Sequence, residues 1–137
     1  MNIVLDTNAL LQVVFTNKSP KIIWDSFIAE KYTLCISNDI LMEYEEILNQ
    51  IVTPDITDLV ISTIMSAINT KRVEPSFKFN LIKADYDDNK FVDCAICANA
   101  TYIVTEDTHF NVLKQTPFPK IDVKNIQEFI DILNTSI

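Results

Sequence analysis

Short unbroken apolar runs alternate along this chain with stretches in which apolar residues return every three or four positions. Ile3-Val4-Leu5, Tyr32-Thr33-Leu34-Cys35-Ile36 and Tyr102-Ile103-Val104 are too short for helices and rich in β-branched and aromatic residues, so they read as strands of a buried parallel sheet. Ile121-Asp122-Val123 reads as an edge strand. A short helix begins at Ala9-Leu10-Leu11, and Ser19-Pro20 opens a second, running to about Lys31, with Ile22, Ile23, Trp24, Phe27 and Ile28 on its apolar face. Ser37-Asn38 caps a third, whose buried stripe is Ile40, Leu41, Tyr44, Ile47, Leu48 and Ile51. Thr53-Pro54-Asp55 starts a fourth, ending near Asn69-Thr70-Lys71, with Ile56, Leu59, Val60, Ile64 and Ile68 facing inward. From Arg72 to Ala84 the pattern lapses into a loop with a short extended piece where Phe77, Phe79 and Leu81 alternate. A helix with core face Phe91, Ala95, Ile96 and Ala98 follows, then a helical turn over Thr108 to Leu113, a Pro117 to Pro119 linker and a closing helix from Asn125 to Leu133.

Strands alternating with helices predict an α/β fold, a three-layer α/β/α sandwich around a mainly parallel central sheet. The length, 137 residues, predicts a single domain over 1–137, and 48% hydrophobic residues exclude a disordered chain. No apolar stretch reaches eighteen residues and the first residues lack a basic leader with a small-residue cleavage site, which predicts a cytoplasmic protein that does not enter the membrane. Three cysteines, Cys35, Cys94 and Cys97, fit reduced buried thiols. The Cys94-x-x-Cys97 pair lies within a helical pattern and has no second pair for zinc, so both read as small core side chains. Glycine is absent, which rules out glycine-rich phosphate loops and leaves turns to Asn, Asp, Ser and Pro.

A formal net charge of −8 disfavours binding nucleic acid through a basic surface and suits a metal site or a basic partner. The acids are not scattered evenly. Asp6 and Asp107 follow strand ends, while Glu43 and Asp88 lie early in helices that follow strands. In a parallel sheet all four locations share one edge. Each has an ordinary reading: Asp6 as an N-cap, Glu43 as a solvated acid favoured by the helix dipole, any acid of Asp85-Tyr86-Asp87-Asp88 as a cap for the next helix. Four carboxylates converging on one edge would raise one another's pKa values unless a cation joined them. Oxygen donors suit Mg²⁺ or Mn²⁺, as one ion or two, and such ions acidify bound water and offset charge on a transferring phosphoryl group.

Asp6-Thr7-Asn8 after a hydrophobic strand, Glu43 six residues after Ser37, Asp88-Asn89-Lys90-Phe91 leading to Ala95, and Val104-Thr105-Glu106-Asp107 resemble, in order, the acidic motifs of PIN-domain nucleases. The similarity runs from about Ile3 to Val123 and is closest to short prokaryotic PIN proteins that act as toxins of toxin-antitoxin pairs, the VapC-like ribonucleases. It implies a metal-dependent, single-strand-directed endoribonuclease in which Asp6, Glu43, Asp88 and Asp107 are both catalytic and metal-binding, with Asn8 and Thr105 supporting them. Asp87 and Asp93 compete with Asp88, although Asp88 and Asp93 stand about 140° apart on a helix and do not face one ion equally. The resemblance further implies RNA as substrate, an antitoxin protein that inserts a segment with Arg or Lys into the acidic cleft, and homodimers.

Other readings fare less well. A catalytically silent PIN-fold module that binds RNA or a protein accounts for the scarcity of basic residues, but not for four retained acids. A signalling receiver would need paired acids ahead of Asp6, where Asn2 is the sole polar residue, and a haloacid-dehalogenase-type phosphatase would need an Asp where Asn8 stands. His109, the single histidine, has no nucleophile-elbow Ser or Cys with it and reads as a surface or half-buried residue, while Lys18, Lys21, Lys71, Arg72, Lys90, Lys114 and Lys120 are candidate phosphate contacts, most of them ordinary solvated charges.

Overall fold

A computed structural model describes residues 1–135, so the last two residues of the expected 1–137 domain lie outside the described residues. Five strands, β1 (Asn2–Leu5), β2 (Thr33–Ile36), β3 (Thr70–Arg72), β4 (Tyr102–Val104) and β5 (Val123–Lys124), form one sheet in the order β3-β2-β1-β4-β5. All four pairings are parallel, with Ile3 beside Leu34 on one side and Tyr102 on the other. Among the described residues there are six α-helices: α1 (Thr7–Val14), α2 (Lys21–Ile28), α3 (Asn38–Ile51), α4 (Pro54–Ser66), α5 (Asn89–Cys97) and α6 (Ile126–Thr135). Helix α5 packs across β1, β2 and β4, and α2 meets α6, giving the three-layer sandwich.

The predicted strands are fully buried at Ile3, Val4, Leu5, Leu34, Cys35, Ile36, Ile103 and Val104, as central parallel strands covered on both faces must be. No described helix is long and apolar enough to cross a membrane. Strand order runs outward from β1 to β2 and β3 in one direction and to β4 and β5 in the other. The reversal falls between β1 and β4, and beyond the carboxyl ends of such a pair the diverging connections leave a crevice.

Several boundaries and faces differ from expectation. Helix α2 stops at Ile28, three residues before Lys31, because the chain turns left-handed at Glu30 (φ 61°). With no glycine to take that conformation, Glu30, Asn80 and Asn99 occupy it. Helix α4 turns Thr57, Val60, Ile61 and Ile64 inward and leaves Ile56 and Leu59 exposed, and Ile68 is exposed beyond its end; the helix is apolar around most of its circumference, so period alone could not choose the face. It ends at Ser66, and Thr70–Arg72, expected as helix end and loop, is the edge strand β3. The alternating Phe77, Phe79 and Leu81 form no strand; the buried anchor of that segment is Ile82. Cys35 and Cys94 are buried as expected, but Cys97, the last residue of α5, is exposed.

Candidate active site

The end of β1 delivers Asp6 to the crevice. Its backbone N–H donates to the Val104 carbonyl (3.2 Å), which ties the end of β1 to β4, and its Oδ1 accepts the Ala9 N–H (2.8 Å) as the N-cap of α1. Its other oxygen, Oδ2, accepts from the Thr105 hydroxyl. The capping role and the crevice role are thus held by different oxygens of one carboxylate. Thr105, buried at the end of β4, also accepts the Asp107 N–H at 2.9 Å, so a single hydroxyl fixes Asp6 relative to Asp107. Burial raises the Asp6 pKa; the bonds from Thr105 and Ala9 pull it back, and Asp107 and Glu43 raise it further.

Helix α3 begins at its Ser37 cap, whose Oγ accepts the Ile40 N–H (3.3 Å), and is locked to the sheet by the Tyr44 hydroxyl donating to the Leu5 carbonyl at 2.6 Å. That contact places Glu43, the residue before Tyr44, against the end of β1. Glu43 Oε2 accepts from the Thr7 hydroxyl, and Oε1 pairs with Lys90 Nζ at 2.8 Å.

Asp88 closes a 3₁₀ turn (Tyr86–Asp88) that leads into α5. Asp85 caps that turn by accepting the Asp87 N–H, while Asp88 makes no capping bond to α5. The expected capping duty therefore falls on Asp85 and leaves the Asp88 carboxyl free. Its Oδ2 is buried and accepts no hydrogen bond. Burial, followed by the charges of Asp85, Asp107 and Asp6 and opposed by His109, lifts the Asp88 pKa to about 6. Asp107 caps a second 3₁₀ turn (Thr108–Gln115) by accepting the His109 N–H at 2.8 Å. His109 Nδ1 lies 3.5 Å from Asp107 Oδ1 and 3.7 Å from Asp88 Oδ2.

Asp6, Glu43, Asp88 and Asp107 line one cavity of about 230 Å³ together with Thr7, Asn8, Asp85 and Asp87. Asp93 is elsewhere: it is buried, accepts the Phe79 N–H at 3.1 Å, and lines a neighbouring hollow of about 480 Å³ with Asp39, Met42, Lys78 and Tyr86. Glu43 and Asp87 border both hollows. Six carboxylates around 230 Å³, one of them with a buried oxygen that nothing satisfies, form a donor set fit for a hard divalent cation. The sequence gives Thr7, Asp85 and His109 no role at the site, and Lys90 only that of a candidate phosphate contact. Thr7 and Lys90 adjoin the Asp6 and Asp88 motifs, so adjacency was available as a signal; nothing local pointed to His109.

A family model described as PIN domain matches residues 2–109. No curated protein sequence matches the chain. Among solved structures, VapBC2 from Rickettsia felis, bound to a DNA fragment from the promoter, matches with a TM-score of 0.65 at 16% identity over 91% of this chain and 98% of that one. VapBC-1 from nontypeable Haemophilus influenzae gives 0.60 at 13% identity, covering 93% and 99%. FitAB bound to an IR36 DNA fragment gives 0.55 at 16% identity, covering 90% and 94%. At such identities the likeness is one of fold.

Proposed function

On the premise that this chain belongs to the PIN-domain family, whose model spans residues 2–109, we propose that it is a divalent-metal-dependent endoribonuclease and the toxin of a toxin-antitoxin pair. The observation that carries the reading is the gathering of Asp6, Glu43, Asp88 and Asp107 at the β1/β4 reversal around a buried, unsatisfied Asp88 oxygen. These four would hold one or two Mg²⁺ or Mn²⁺ ions. Such an ion, when bound, lowers the pKa of water and offsets charge building on a phosphodiester.

The chain's own groups supply orientation. Thr105 fixes Asp6 and, through the Asp107 N–H, sets the separation between those two carboxylates. Thr7 and Lys90 hold Glu43 in one rotamer, which lowers the reorganisation needed to bind a cation. Asn8, exposed at the cavity wall, offers amide donors to a phosphate or a ribose. Without a cation the carboxylates would repel an RNA backbone, so substrate binding and metal binding are coupled. The same charge suits an Arg- or Lys-bearing segment of a small antitoxin. The DNA-bound VapBC2 and FitAB assemblies support an antitoxin that binds DNA.

One observation favours a silent binding module instead: both Glu43 oxygens are already engaged. The two readings separate on purified protein incubated with single-stranded and structured RNAs in Mg²⁺, Mn²⁺ or EDTA, beside Asp6→Asn. Metal-dependent cleavage that vanishes in the variant supports the nuclease. Folded wild-type protein that cuts nothing in either metal, and whose biological effect survives Asp6→Asn, overturns it.

A further inference from the structure

His109 stands where it can do more than balance charge. One of its ring nitrogens, one carboxylate oxygen of Asp85 and one of Asp88 all lie within 4.8 Å of one another. Donors bound to one ion at about 2.1 Å stand roughly 3 to 4 Å apart, so small rotations of the exposed Asp85 and the half-exposed imidazole would close this set. An ordinary ion pair explains the arrangement poorly. Charge-assisted N–H to carboxylate bonds close to about 2.7 to 2.9 Å. Here Nδ1 stays 3.7 Å from Asp88 and 3.5 Å from Asp107. Asp88 Oδ2 has no solvent access and still accepts nothing.

We propose that His109, with Asp85 and Asp88, forms a mixed nitrogen and oxygen cation position at one end of the acidic cavity, selective for the borderline ion Zn²⁺ and, to a smaller degree, for the harder Mn²⁺ over Mg²⁺. The chemistry follows from the donor: imidazole binds transition ions well, whereas Mg²⁺ favours oxygen and keeps its waters. The 3₁₀ turn after β4 places the ring, because Asp107 caps it through the His109 N–H and thereby aims the side chain back toward α5. The inference deepens the nuclease reading, since Asp88 serves both, but it concerns metal binding and is tested by binding.

The chain has a single histidine, so its imidazole gives one pair of ring ¹⁵N signals that needs no further assignment. Titrating the whole protein with Zn²⁺, a diamagnetic probe, should shift the Nδ1 signal, while Mg²⁺ should leave it in place. By calorimetry, His109→Asn should weaken Mn²⁺ binding at least about tenfold and Mg²⁺ binding by no more than about twofold. His109→Lys keeps a cation beside the two carboxylates but cannot ligate in the same way, so it should behave as His109→Asn does; far-UV circular dichroism checks that both variants fold. An unmoved Nδ1 signal, equal effects on both ions, or Mn²⁺ binding restored by His109→Lys would each overturn the proposal and return His109 to an ion-pairing role. RNA cleavage separates this from the nuclease reading. Cleavage by His109→Asn that keeps the wild-type ratio of Mn²⁺-supported to Mg²⁺-supported rates defeats the cation position alone. Mn²⁺-selective binding with no cleavage defeats the nuclease alone.

Discussion

Two hollows share the Glu43 wall, and their buried acids differ in what holds them. In the one of about 480 Å³ the buried Asp93 accepts the Phe79 N–H, and beside it Asn89 exchanges two hydrogen bonds with the Ile82 backbone. Those bonds fasten the irregular segment between β3 and α5 onto α5 itself. In the smaller hollow the carboxylates face one another across the β1/β4 reversal, and Asp88 keeps an oxygen that no group satisfies. Volume marks where the chain fails to fill space. Unsatisfied charge marks where a ligand completes it. Asp88 and Asp93, at the two ends of the first turns of α5, embody the contrast.

The sharpest test of that contrast is Asp6→Asn. Asn caps a helix about as well as Asp, so α1 should persist. Loss of the charge should lower RNA cleavage at least about a hundredfold. Thermal melting in EDTA should be unchanged or higher, because the variant no longer buries a carboxylate whose pKa is raised. Retained cleavage would break the assignment of the smaller hollow.

Next comes pH. Asp88 ionises near 3.8 in the unfolded chain and near 6 in the fold. The unfolded chain therefore releases this proton first. The stability that Asp88 contributes is full below about pH 4 and is lost as pH rises through 6. Urea denaturation in EDTA should show that fall in the wild type relative to Asp88→Asn. Saturating divalent ion at pH 7.5 should offset it by about 2.7 kcal/mol at a hundred times Kd. Parallel pH profiles of wild type and variant would remove the argument from electrostatics.

Smaller effects belong to the larger hollow. Asp93→Ala leaves the Phe79 N–H without its acceptor and should cost about 1 kcal/mol in denaturant stability, with RNA cleavage within about twofold of wild type. A hundredfold loss of cleavage there would merge the two hollows into one site. Smallest of all, Lys90→Met removes a partly exposed ion pair to Glu43, worth less than about 1 kcal/mol to folding. Its cleavage assay should show a raised KM with kcat little changed if Lys90 aids substrate approach, and a lowered kcat if it chiefly orients Glu43.

Most elements were legible because their signals are local. β1, β2 and β4 announce themselves as apolar runs, and Ser37 caps α3 where a Ser-Asn pair ahead of a periodic stretch predicts it. β3 was not legible: Thr70-Lys71-Arg72 at a sheet edge has no buried face to impose an apolar pattern. The face of α4 was ambiguous because Ile56, Leu59 and Ile68 are as apolar as Val60, Ile61 and Ile64. At the site, parallel topology alone brings the four acids to one edge, whereas the choice between Asp88 and Asp93 waited on where α5 sits.

The sequence by itself determined the alternation of strands and helices, the exclusion of glycine-rich phosphate loops, and the placing of acids just past strand ends. Such features depend on neighbours within a few residues, where propensity, capping and periodicity act. Only the tertiary structure decided that Thr105 bonds Asp6 across 99 positions, that Thr7 reaches Glu43 across 36, that Lys90 reaches it across 47, and that His109 faces Asp88. Those pairings follow from how α3 and α5 dock beside β1 and β4, and docking is set by the shape of the whole core, which no local window of the chain contains.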